Sequence, residues 1–301
     1  MKKRILITGG SGLVGTQLSE HLLQKGYEVN HLSRKYNDHP KIKTFIWDIE
    51  NKEIDPKSID GVDTIIHLAG AGIAEKRWSK DRKELIIKSR TESIALLYKL
   101  IKSTENQITT VISASGSGFY SDRGDQILTE TDSPRTDFLS QSCVMWEKAV
   151  DEGKTLNLRI VKFRLGNILA KNAGALPTIA LPIKLGIGSA LGNGKQWISW
   201  IHIEDAVRIF TYAIENTTIK DTYNAASPNP TRNNEFNLAI AKQLNKPYWA
   251  PAVPTFVLKV LMGEMSILAL ASIRMNVKKI EDENFVFSFP VLQSALKDIY
   301  K

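Results

Sequence analysis

The sequence has a single cysteine, Cys143, among its 301 residues. One cysteine cannot form an internal disulfide, and this usage is typical of a chain in a reducing cytoplasm. No cysteine–histidine cluster occurs, so we expect no metal site. There is also no apolar run of about 18 residues and no apolar signal-peptide core at the N-terminus. We therefore expect a cytoplasmic protein without a membrane partner.

Positive charge is in modest excess, with 40 lysine and arginine residues against 32 acidic residues and a net charge of +8. A basic surface binds nucleic acid when its positive residues form one stripe with interleaved aromatics. Here they are scattered along the chain, so we expect no nucleic-acid partner. A diffuse positive field instead favours a small polyanionic ligand.

The sequence does contain a glycine-rich turn near its N-terminus. Apolar residues 5–7 run into glycines spaced G-x-x-G-x-x-G, and an amphipathic segment with Leu18 and Leu22 follows at once. This order predicts a strand, a tight turn and a helix N-terminus, which together bind a dinucleotide pyrophosphate. The alternative is a glycine-rich turn with no ligand. The predicted contacts are Gly9, Ser11, Gly12, Leu13, Val14 and Gly15.

Strand and helix patterns alternate along the first half of the chain. Short apolar runs predict strands at residues 4–7, 28–32, 44–47, 64–68, 110–114 and 157–163. Helical periodicity predicts helices at residues 13–25, 80–102 and 138–152. Such alternation builds βαβ units, so the sequence predicts an α/β fold with a doubly wound parallel Rossmann sheet.

The residues just after each strand should line the ligand crevice, which lies outside the carboxyl ends of parallel strands. Ser33 and Arg34 follow the second strand, where an acidic residue would suit the ribose hydroxyl of NAD. A basic residue suits the 2′-phosphate of NADP, because a guanidinium can fork onto phosphate oxygens. We therefore expect NADP(H) as the cofactor, and a solvated Arg34 in an ordinary turn is the alternative.

Two further strand ends contribute candidate cofactor contacts. Asp48 follows the third strand and could accept a hydrogen bond from the adenine amino group, although a surface-loop aspartate explains it equally well. His67 ends the fourth strand and is interpreted as a packed histidine rather than a catalyst. The small residues after it let backbone pass beneath a ribose and pyrophosphate; they are Leu68, Ala69 and Gly70.

The strand–helix pattern loosens in the second half of the chain. Glycine and proline accumulate from Gly174 to Gly194, and the chain beyond Asn233 is mainly helical. We expect residues 1–165 to form the NADP-binding Rossmann domain, with its sheet completed by parts of 195–226. Residues 166–301 would then form a smaller lobe for the substrate.

These motifs resemble the extended short-chain dehydrogenase/reductases, the superfamily of NAD(P)-dependent sugar epimerases. More narrowly, the chain is similar to a subgroup of epimerase family proteins that includes bacterial homologues named as cell-division inhibitors. The resemblance spans essentially the whole chain. Its main motifs are TGGSGLVG at 8–15, HLAG at 67–70, SAS and FY within 113–120, RLGN at 164–167 and QWISWIH at 196–202.

The resemblance implies a catalytic Ser or Thr and a Tyr-x-x-x-Lys pair on the helix after the fifth strand. This chain instead has Cys143 and Glu147 at the places of the tyrosine and lysine. A glutamate opposes a tyrosinate-like state, so we expect the usual proton relay to be absent. A literal Tyr-x-x-x-Lys, Tyr98 to Lys102, ends the preceding helix at the opposite edge of the sheet and is interpreted as structural.

Ser115 and Tyr120, just past the fifth strand, are the candidate catalytic residues, because their hydroxyls should lie near the nicotinamide. A structural loop rich in serine and glycine is the alternative. Cys143 could be a thiol acid or nucleophile, but a helix cysteine is more often a small buried hydrophobe. The narrower resemblance implies that Arg90 reaches toward the cofactor.

Two functions remain open from the sequence. The first is an NADP(H)-dependent oxidoreductase or epimerase acting on an unidentified small polar substrate, with a nucleotide sugar as one candidate. The second is a non-catalytic NADP(H) redox sensor or scaffold. Trp197, Trp200 and His202 would line a substrate pocket, or they would simply pack between lobes. Both a monomer and a homodimer are compatible with the sequence.

Overall fold

Buried aliphatic runs form the strands of a large central sheet. The computed structural model describes residues 3–301. Segments such as 64–67 are buried on both faces, which is typical of parallel strands covered by helices. In chain order the strands are β1 Arg4–Thr8, β2 Glu28–Ser33, β3 Ile42–Asp48, β4 Glu53–Ile54, β5 Thr64–His67, β6 Thr110–Gly116, β7 Ile127–Leu128, β8 Arg159–Leu165, β9 Asn167–Leu169, β10 Trp197–Ile198, β11 Trp200–His202, β12 Asp221–Ala225, β13 Thr231–Arg232 and β14 Arg274–Met275.

Helices connect these strands and cover the sheet. In chain order they are α1 Leu13–Gln24, α2 Lys80–Ser103, α3 Phe138–Asp151, α4 Ala175–Lys184, α5 Ile203–Glu215, α6 Asn233–Gln243, α7 Thr255–Met262, α8 Ile267–Leu270, α9 Lys278–Asp282 and α10 Leu292–Ile299. Short 3₁₀ turns lie at Pro56–Ile59, Ser117–Phe119, Glu152–Leu156 and Gly263–Ser266. Helix α1 packs with α5, and α2 packs with α3.

The strand order of the main sheet places a crevice beside β1. The order is β12-β8-β6-β5-β1-β2-β3-β4, and every neighbouring pair is parallel except β3 with β4. The chain moves outward from β1 to β3 and then returns to β5 on the other side of β1. This reversal separates the loops at the carboxyl ends of β1 and β5, where open α/β sheets bind ligands.

Two hydrophobic cores meet at the start of α1. The main core fills the sheet and its covering helices, and a smaller one joins α4, α6 and α10 around Trp200 and Phe236. Gly174, just before α4, has φ +78°, and a Cβ there would lie 3.2 Å from Leu13 Cδ2. The smaller core therefore begins directly beside the helix that the glycine-rich turn opens.

The predicted α/β fold with a doubly wound parallel sheet is confirmed. The six predicted strands and three predicted helices are present, with ends within two residues of the predicted ones. Strand β12 also pairs with β8 at the edge of the main sheet. Strand β12 lies within the 195–226 segment that was expected to complete the sheet. The other strands that the sequence did not predict, such as β9 and β14, have two or three residues, too few to show an alternating pattern.

Candidate functional site

The glycine-rich turn packs so closely that side chains have no room. Gly9 has φ +72°, and a Cβ there would lie 2.8 Å from the carbonyl carbon of Leu68. A Cβ on Gly15 would lie 2.7 Å from the Cα of Gly10. Glycine alone adopts this backbone and permits this approach. The turn therefore brings the start of α1 against the loop after β5.

Helix α1 begins with free amide groups. Its N-cap is Gly12, no side chain caps it, and no acidic residue lies in its first turn. The amide of Thr16 makes the first bond inside the helix, to the carbonyl of Gly12 at 2.9 Å. The amides of Leu13, Val14 and Gly15 thus have no acceptor within the helix. Such a helix start fits an anionic phosphate, and the exposed Ser11 lies beside it.

The loop after β5 is held against β1 by two hydrogen bonds. The amide of Leu68 donates to the Thr8 carbonyl at 3.1 Å, and the amide of Ala69 donates to Thr8 Oγ1 at 3.2 Å. His67 is fully buried, 2.9 Å from the same Thr8 hydroxyl, and burial lowers its pKa to about 4. It is therefore a neutral packed histidine, as the sequence indicated.

Arg90 lies over this loop from helix α2. A Cβ on Gly70 would lie 2.9 Å from its guanidinium carbon, and that carbon is 5.0 Å from the centre of the Trp146 ring. One nitrogen donates to the carbonyl of Ile86 at 2.8 Å. Arg90 thus reaches the carboxyl edge of β5, and only part of its hydrogen-bonding capacity is used.

At the end of β2, Ser33 and Arg34 are the two residues predicted to select NADP over NAD. Both keep hydrogen-bond donors free for a ligand. Ser33 is half-buried and accepts a hydrogen bond from the amide of Lys35 at 3.4 Å. Arg34 is exposed and has no ion pair or hydrogen bond among residues 3–301. An unpaired guanidinium at this strand end fits a phosphate group.

The carboxylate of Asp48, the last residue of β3, is hydrogen-bonded within the turn that follows the strand. Its carboxylate accepts from the amides of Glu50 at 2.9 Å and Asn51 at 3.0 Å, and from the Asn51 side chain at 3.0 Å. The bonds from Asn51 lower the pKa of the Asp48 carboxyl. Asp48 is therefore a charged acceptor at the crevice edge that also closes a local turn.

The place of the usual proton relay holds a buried ion pair. Glu147 on α3 accepts two bonds from Arg164 at the end of β8, at 2.8 and 2.9 Å. Ser115 donates its hydroxyl proton to the same carboxylate at 2.7 Å. All three side chains are buried. Since a carboxylate can only accept, the single proton of Ser115 points to Glu147 and away from the crevice.

Tyr120 extends this network. Its hydroxyl donates to Asn224 Oδ1 at 2.6 Å and accepts from Arg164 at 2.9 Å. The ring is completely buried, and burial raises the pKa of Tyr120 to about 12. The structure brings Ser115 and Tyr120 together through Arg164, but both hydroxyl protons are already donated within the protein.

Two other groups from the sequence analysis are likewise buried. Cys143 packs beneath Gly116, and burial raises the pKa of its thiol to about 11. The hydroxyl of Tyr98 donates to the carbonyl of Val150 at 2.7 Å within the core. Tyr98 is therefore the structural residue that its position predicted, and Cys143 is a small buried hydrophobe.

Ser117 is a candidate that sequence reasoning missed. It opens the 3₁₀ turn after β6, is half-buried, and its hydroxyl makes no hydrogen bond to any described residue. Ser115 and Ser117 lie two residues apart, so the sequence could not tell which hydroxyl is committed to a neighbour. The signal available was the Gly-Ser-Gly turn, which exposes the middle side chain.

The tryptophan-rich segment divides between packing and surface. Trp200 is completely buried in the smaller core, and His202 caps α5 by accepting from the amide of Glu204 at 3.2 Å. Trp197 lies between two guanidiniums, with Arg232 at 4.2 Å and Arg274 at 4.4 Å from its ring centre. Of Trp197, Trp200 and His202, only Trp197 is half-exposed, and its ring lies near charged side chains.

Among residues 3–301, one cluster has the spacing of metal ligands: His202, Glu204 and Asp298. The Nδ1 atom of His202 accepts a backbone amide proton, so its proton is on Nε2, which faces Asp298 at 3.5 Å. A metal at Nε2 would require that proton on Nδ1 instead, against the amide of Glu204. The cluster therefore does not fit a metal ion.

Comparison with known proteins identifies the family. The sequence profile of the NAD-dependent epimerase/dehydratase family matches residues 5–226. The chain belongs to this family. Residues 253–299 match a further profile, a domain of unknown function called DUF1731. Family membership agrees with the resemblance that the glycine-rich turn and its companion motifs indicated.

Relatives of similar length share the whole chain. An epimerase family protein of Staphylococcus epidermidis is 34% identical over 306 residues and one of Staphylococcus saprophyticus is 33% identical over 304, each covering 99% of both chains. The human epimerase family protein SDR39U1, solved with NADPH, superposes with a TM-score of 0.87 at 28% identity and 99% coverage of both chains. A nucleoside-diphosphate sugar epimerase of Corynebacterium glutamicum superposes with a TM-score of 0.80 at 32% identity, covering 98% of this chain and 57% of that one.

No helix within residues 3–301 combines the length and apolar character needed to cross a membrane.

Proposed function

We propose that this epimerase family protein binds NADP(H) at the carboxyl edge of β1, β2 and β5 and acts as an oxidoreductase or epimerase on a small polar substrate. The observation that carries the proposal is the uncapped start of α1, with three free amides beside glycines that exclude side chains. A nucleotide sugar is one candidate substrate. Residues 1–165 would hold the cofactor and residues 166–301 the substrate.

The residues at this edge fit the parts of a dinucleotide. When bound, NADP(H) supplies or accepts a hydride, and the protein orients it. We assign the ribose and nicotinamide side to Leu68, Ala69, Gly70 and Arg90, and the adenine to Asp48. The pyrophosphate is assigned to Gly9, Ser11, Gly12, Leu13, Val14 and Gly15.

The choice of NADP over NAD rests on Ser33 and Arg34. Arg34 has no partner among the described residues, 3–301, so a 2′-phosphate would not compete with an ion pair to any of them. Ser33 retains its hydroxyl proton for the same phosphate. The bound NADPH of the human relative supports this choice.

For the chemistry, we propose Ser115, Tyr120 and Ser117 in different roles. Ser115 and Tyr120 are joined to Glu147 and Arg164, and through these bonds they hold the end of β6 in place. Ser117 has a free hydroxyl just beyond that strand end, so it would donate a hydrogen bond to a substrate oxygen.

A second function, a redox sensor or scaffold without turnover, is favoured by one observation. The hydroxyl of Tyr120 and the thiol of Cys143 have pKa values raised to about 12 and about 11, far from neutral pH. An acid–base catalyst works best with a pKa near the working pH. Proton transfer would then have to involve water or a group of the substrate.

Calorimetry with NADPH and NADH tests the cofactor assignment. We expect NADPH to bind roughly 10- to 100-fold more tightly, because charge-assisted hydrogen bonds contribute about 1.5–3 kcal/mol each. Arg34→Ala should remove most of this preference. Lys57→Ala, an exposed lysine on the 3₁₀ turn before β5, is the matched control and should leave it unchanged. Equal affinities for the two dinucleotides in the unaltered protein would contradict the assignment.

A screen of carbonyl compounds and nucleotide sugars, following NADPH absorbance, separates the two functions. Each carbonyl compound is tested with NADPH and each nucleotide sugar with NADP⁺, because a sugar hydroxyl must first be oxidised. The oxidoreductase function predicts a loss of NADPH absorbance with a carbonyl compound or a gain with a nucleotide sugar. Epimerisation would oxidise the sugar with NADP⁺ and then return the hydride, so the net NADPH level stays unchanged and products are also analysed by chromatography. Tight NADPH binding with no product from the whole panel would favour the sensor.

A further inference from the structure

The smaller lobe carries large apolar side chains that protrude into solvent. Six of them are 56–72% exposed, and we call them the apolar face: Leu185, Ile187, Trp249, Phe256, Val260 and Leu261. Isolated exposed apolar residues are normal, but a group of this size marks an interaction site. None of these residues has a role in the proposed cofactor site.

Backbone pairing joins the parts of this face. The indole nitrogen of Trp249 donates to the Gly186 carbonyl at 3.2 Å, so its ring lies beside Leu185 and Ile187. The strands of chain at 188–191 and 248–253 run side by side, and α7 begins two residues later. Phe256 and Val260 are four residues apart and lie on one side of α7, in which Leu258 alone is buried.

The charged residues in the segments that form the apolar face are mostly lysines. Residues 153–203 and 236–263 contain no aspartate or glutamate. Six lysines in these two segments are exposed and have no ion pair among the described residues: Lys171, Lys184, Lys195, Lys242, Lys246 and Lys259. The acidic residue that follows α7, Glu264, is already paired with Lys83. This surface is therefore apolar and cationic together.

Charge and shape select the occupant. A second copy of this chain would bring the same unpaired lysines against one another, which opposes a symmetric dimer. A partner helix needs a groove, whereas side chains that are about 70% exposed stand out from the surface. An anionic lipid bilayer accepts protruding apolar side chains between its headgroups and attracts lysines around them, and tryptophan favours that interface.

We propose that the apolar face, with its surrounding lysines, docks this protein reversibly on an anionic membrane surface. The sequence predicted no membrane partner because it lacks an apolar run of about 18 residues. That criterion detects helices that span a membrane and does not detect side chains that bind its surface. Docking involves side chains of α7 and of the loops at 185–187 and 249. The proposal does not depend on which function the cofactor site serves.

Flotation of the full chain with lipid vesicles tests the proposal. We expect the partition coefficient to rise at least about tenfold when phosphatidylcholine vesicles include about 30 mol% phosphatidylglycerol. It should fall again in about 0.5 M salt, which screens the lysines. Phe256→Ser/Val260→Ser and Lys242→Gln/Lys246→Gln/Lys259→Gln should each lose most of the binding. These residues are exposed, so the melting temperature should stay unchanged.

Two matched controls keep the test specific. Val286→Ser removes an equally exposed apolar side chain outside the face, and Lys99→Gln/Lys102→Gln/Lys148→Gln removes the same charge from α2 and α3. Both should bind like the unaltered protein. Absence of binding to the anionic vesicles, or equal losses in the controls, would overturn the proposal. So would a homodimer in sedimentation equilibrium that Phe256→Ser/Val260→Ser converts to monomer, because a second copy would then cover the face.

Discussion

The start of α1 and the end of β6 lie at the same edge of one sheet but are built in opposite ways. At α1, amide donors are left free and glycines clear the space in front of them. At β6, Ser115, Glu147, Arg164, Tyr120 and Asn224 are buried and bonded to one another. One edge of the sheet thus combines a helix start that is open to an anion with a closed hydrogen-bonded network at the position of the superfamily's usual acid–base pair.

The largest expected effect is on the closed network. Arg164→Met would leave the Glu147 carboxylate buried without its partner, so we expect the free energy of unfolding to fall by about 3–5 kcal/mol. Lys278→Met, which breaks an exposed pair with Asp282, is the control and should leave the free energy of unfolding nearly unchanged. Urea unfolding followed by tryptophan fluorescence measures both. A loss below about 1 kcal/mol for Arg164→Met would mean that the ion pair with Glu147 contributes little to the stability of the protein.

The second-largest effect is on kcat/KM, and it distinguishes the role of Ser117 from that of Ser115. With any substrate that the panel yields, Ser117→Ala should lower kcat/KM about 10²-fold, the contribution of one positioned hydrogen-bond donor. Ser115→Ala should act mainly on stability, by about 1 kcal/mol, because its hydroxyl serves Glu147. NADPH affinity should be unchanged in both variants. The reverse order of the two kinetic effects would return the catalytic role to Ser115.

Acid should destabilise the protein through two buried histidines. Burial lowers the pKa values of His31, beneath Gly10, and His67 to about 4, against about 6.5 in an unfolded chain. Between these values the unfolded chain binds protons that the folded chain does not, so stability falls as pH drops from 6.5 towards 4. The slope is up to about 1.4 kcal/mol per pH unit for each histidine.

Thermal unfolding at several pH values measures this fall in stability. His31→Gln should reduce the fall in melting temperature that the unaltered protein shows between about pH 6.5 and about pH 4.5. Cys143→Ala should leave the slope unchanged, because burial raises the pKa of that thiol to about 11, so it stays protonated throughout. Parallel curves for His31→Gln and the unaltered protein would remove His31 as a source of acid sensitivity.

The fold and the α1 side were accessible from the sequence because their signals are local. A strand, three glycines and an amphipathic helix fall within 25 residues, β6 is a short buried run, and α3 has a helical periodicity. The network at β6 was not accessible. Glu147 lies 32 residues from Ser115, and Tyr120 lies 104 residues from Asn224, so only the folded chain brings them together.

The sequence also could not show the state of each hydroxyl. Ser115 and Tyr120 were chosen for their position just past the fifth predicted strand. Ser115 lies inside β6, one residue before its end, and Tyr120 follows the 3₁₀ turn after it. What decides their chemistry is where each proton is donated, and this depends on partners from α3, β8 and β12. The departure from Tyr-x-x-x-Lys did show that the relay is missing, but not that an ion pair with Arg164 replaces it.

Gly174 sets how closely the segment before α4 approaches helix α1. A Cβ there would lie 2.9 Å from the Ile168 carbonyl oxygen and 3.2 Å from Leu13 Cδ2, so this backbone lies against the first residue of α1. Any larger residue at 174 would require one of these neighbours to move, and the first turn of α1 is where the pyrophosphate of the proposed cofactor would bind.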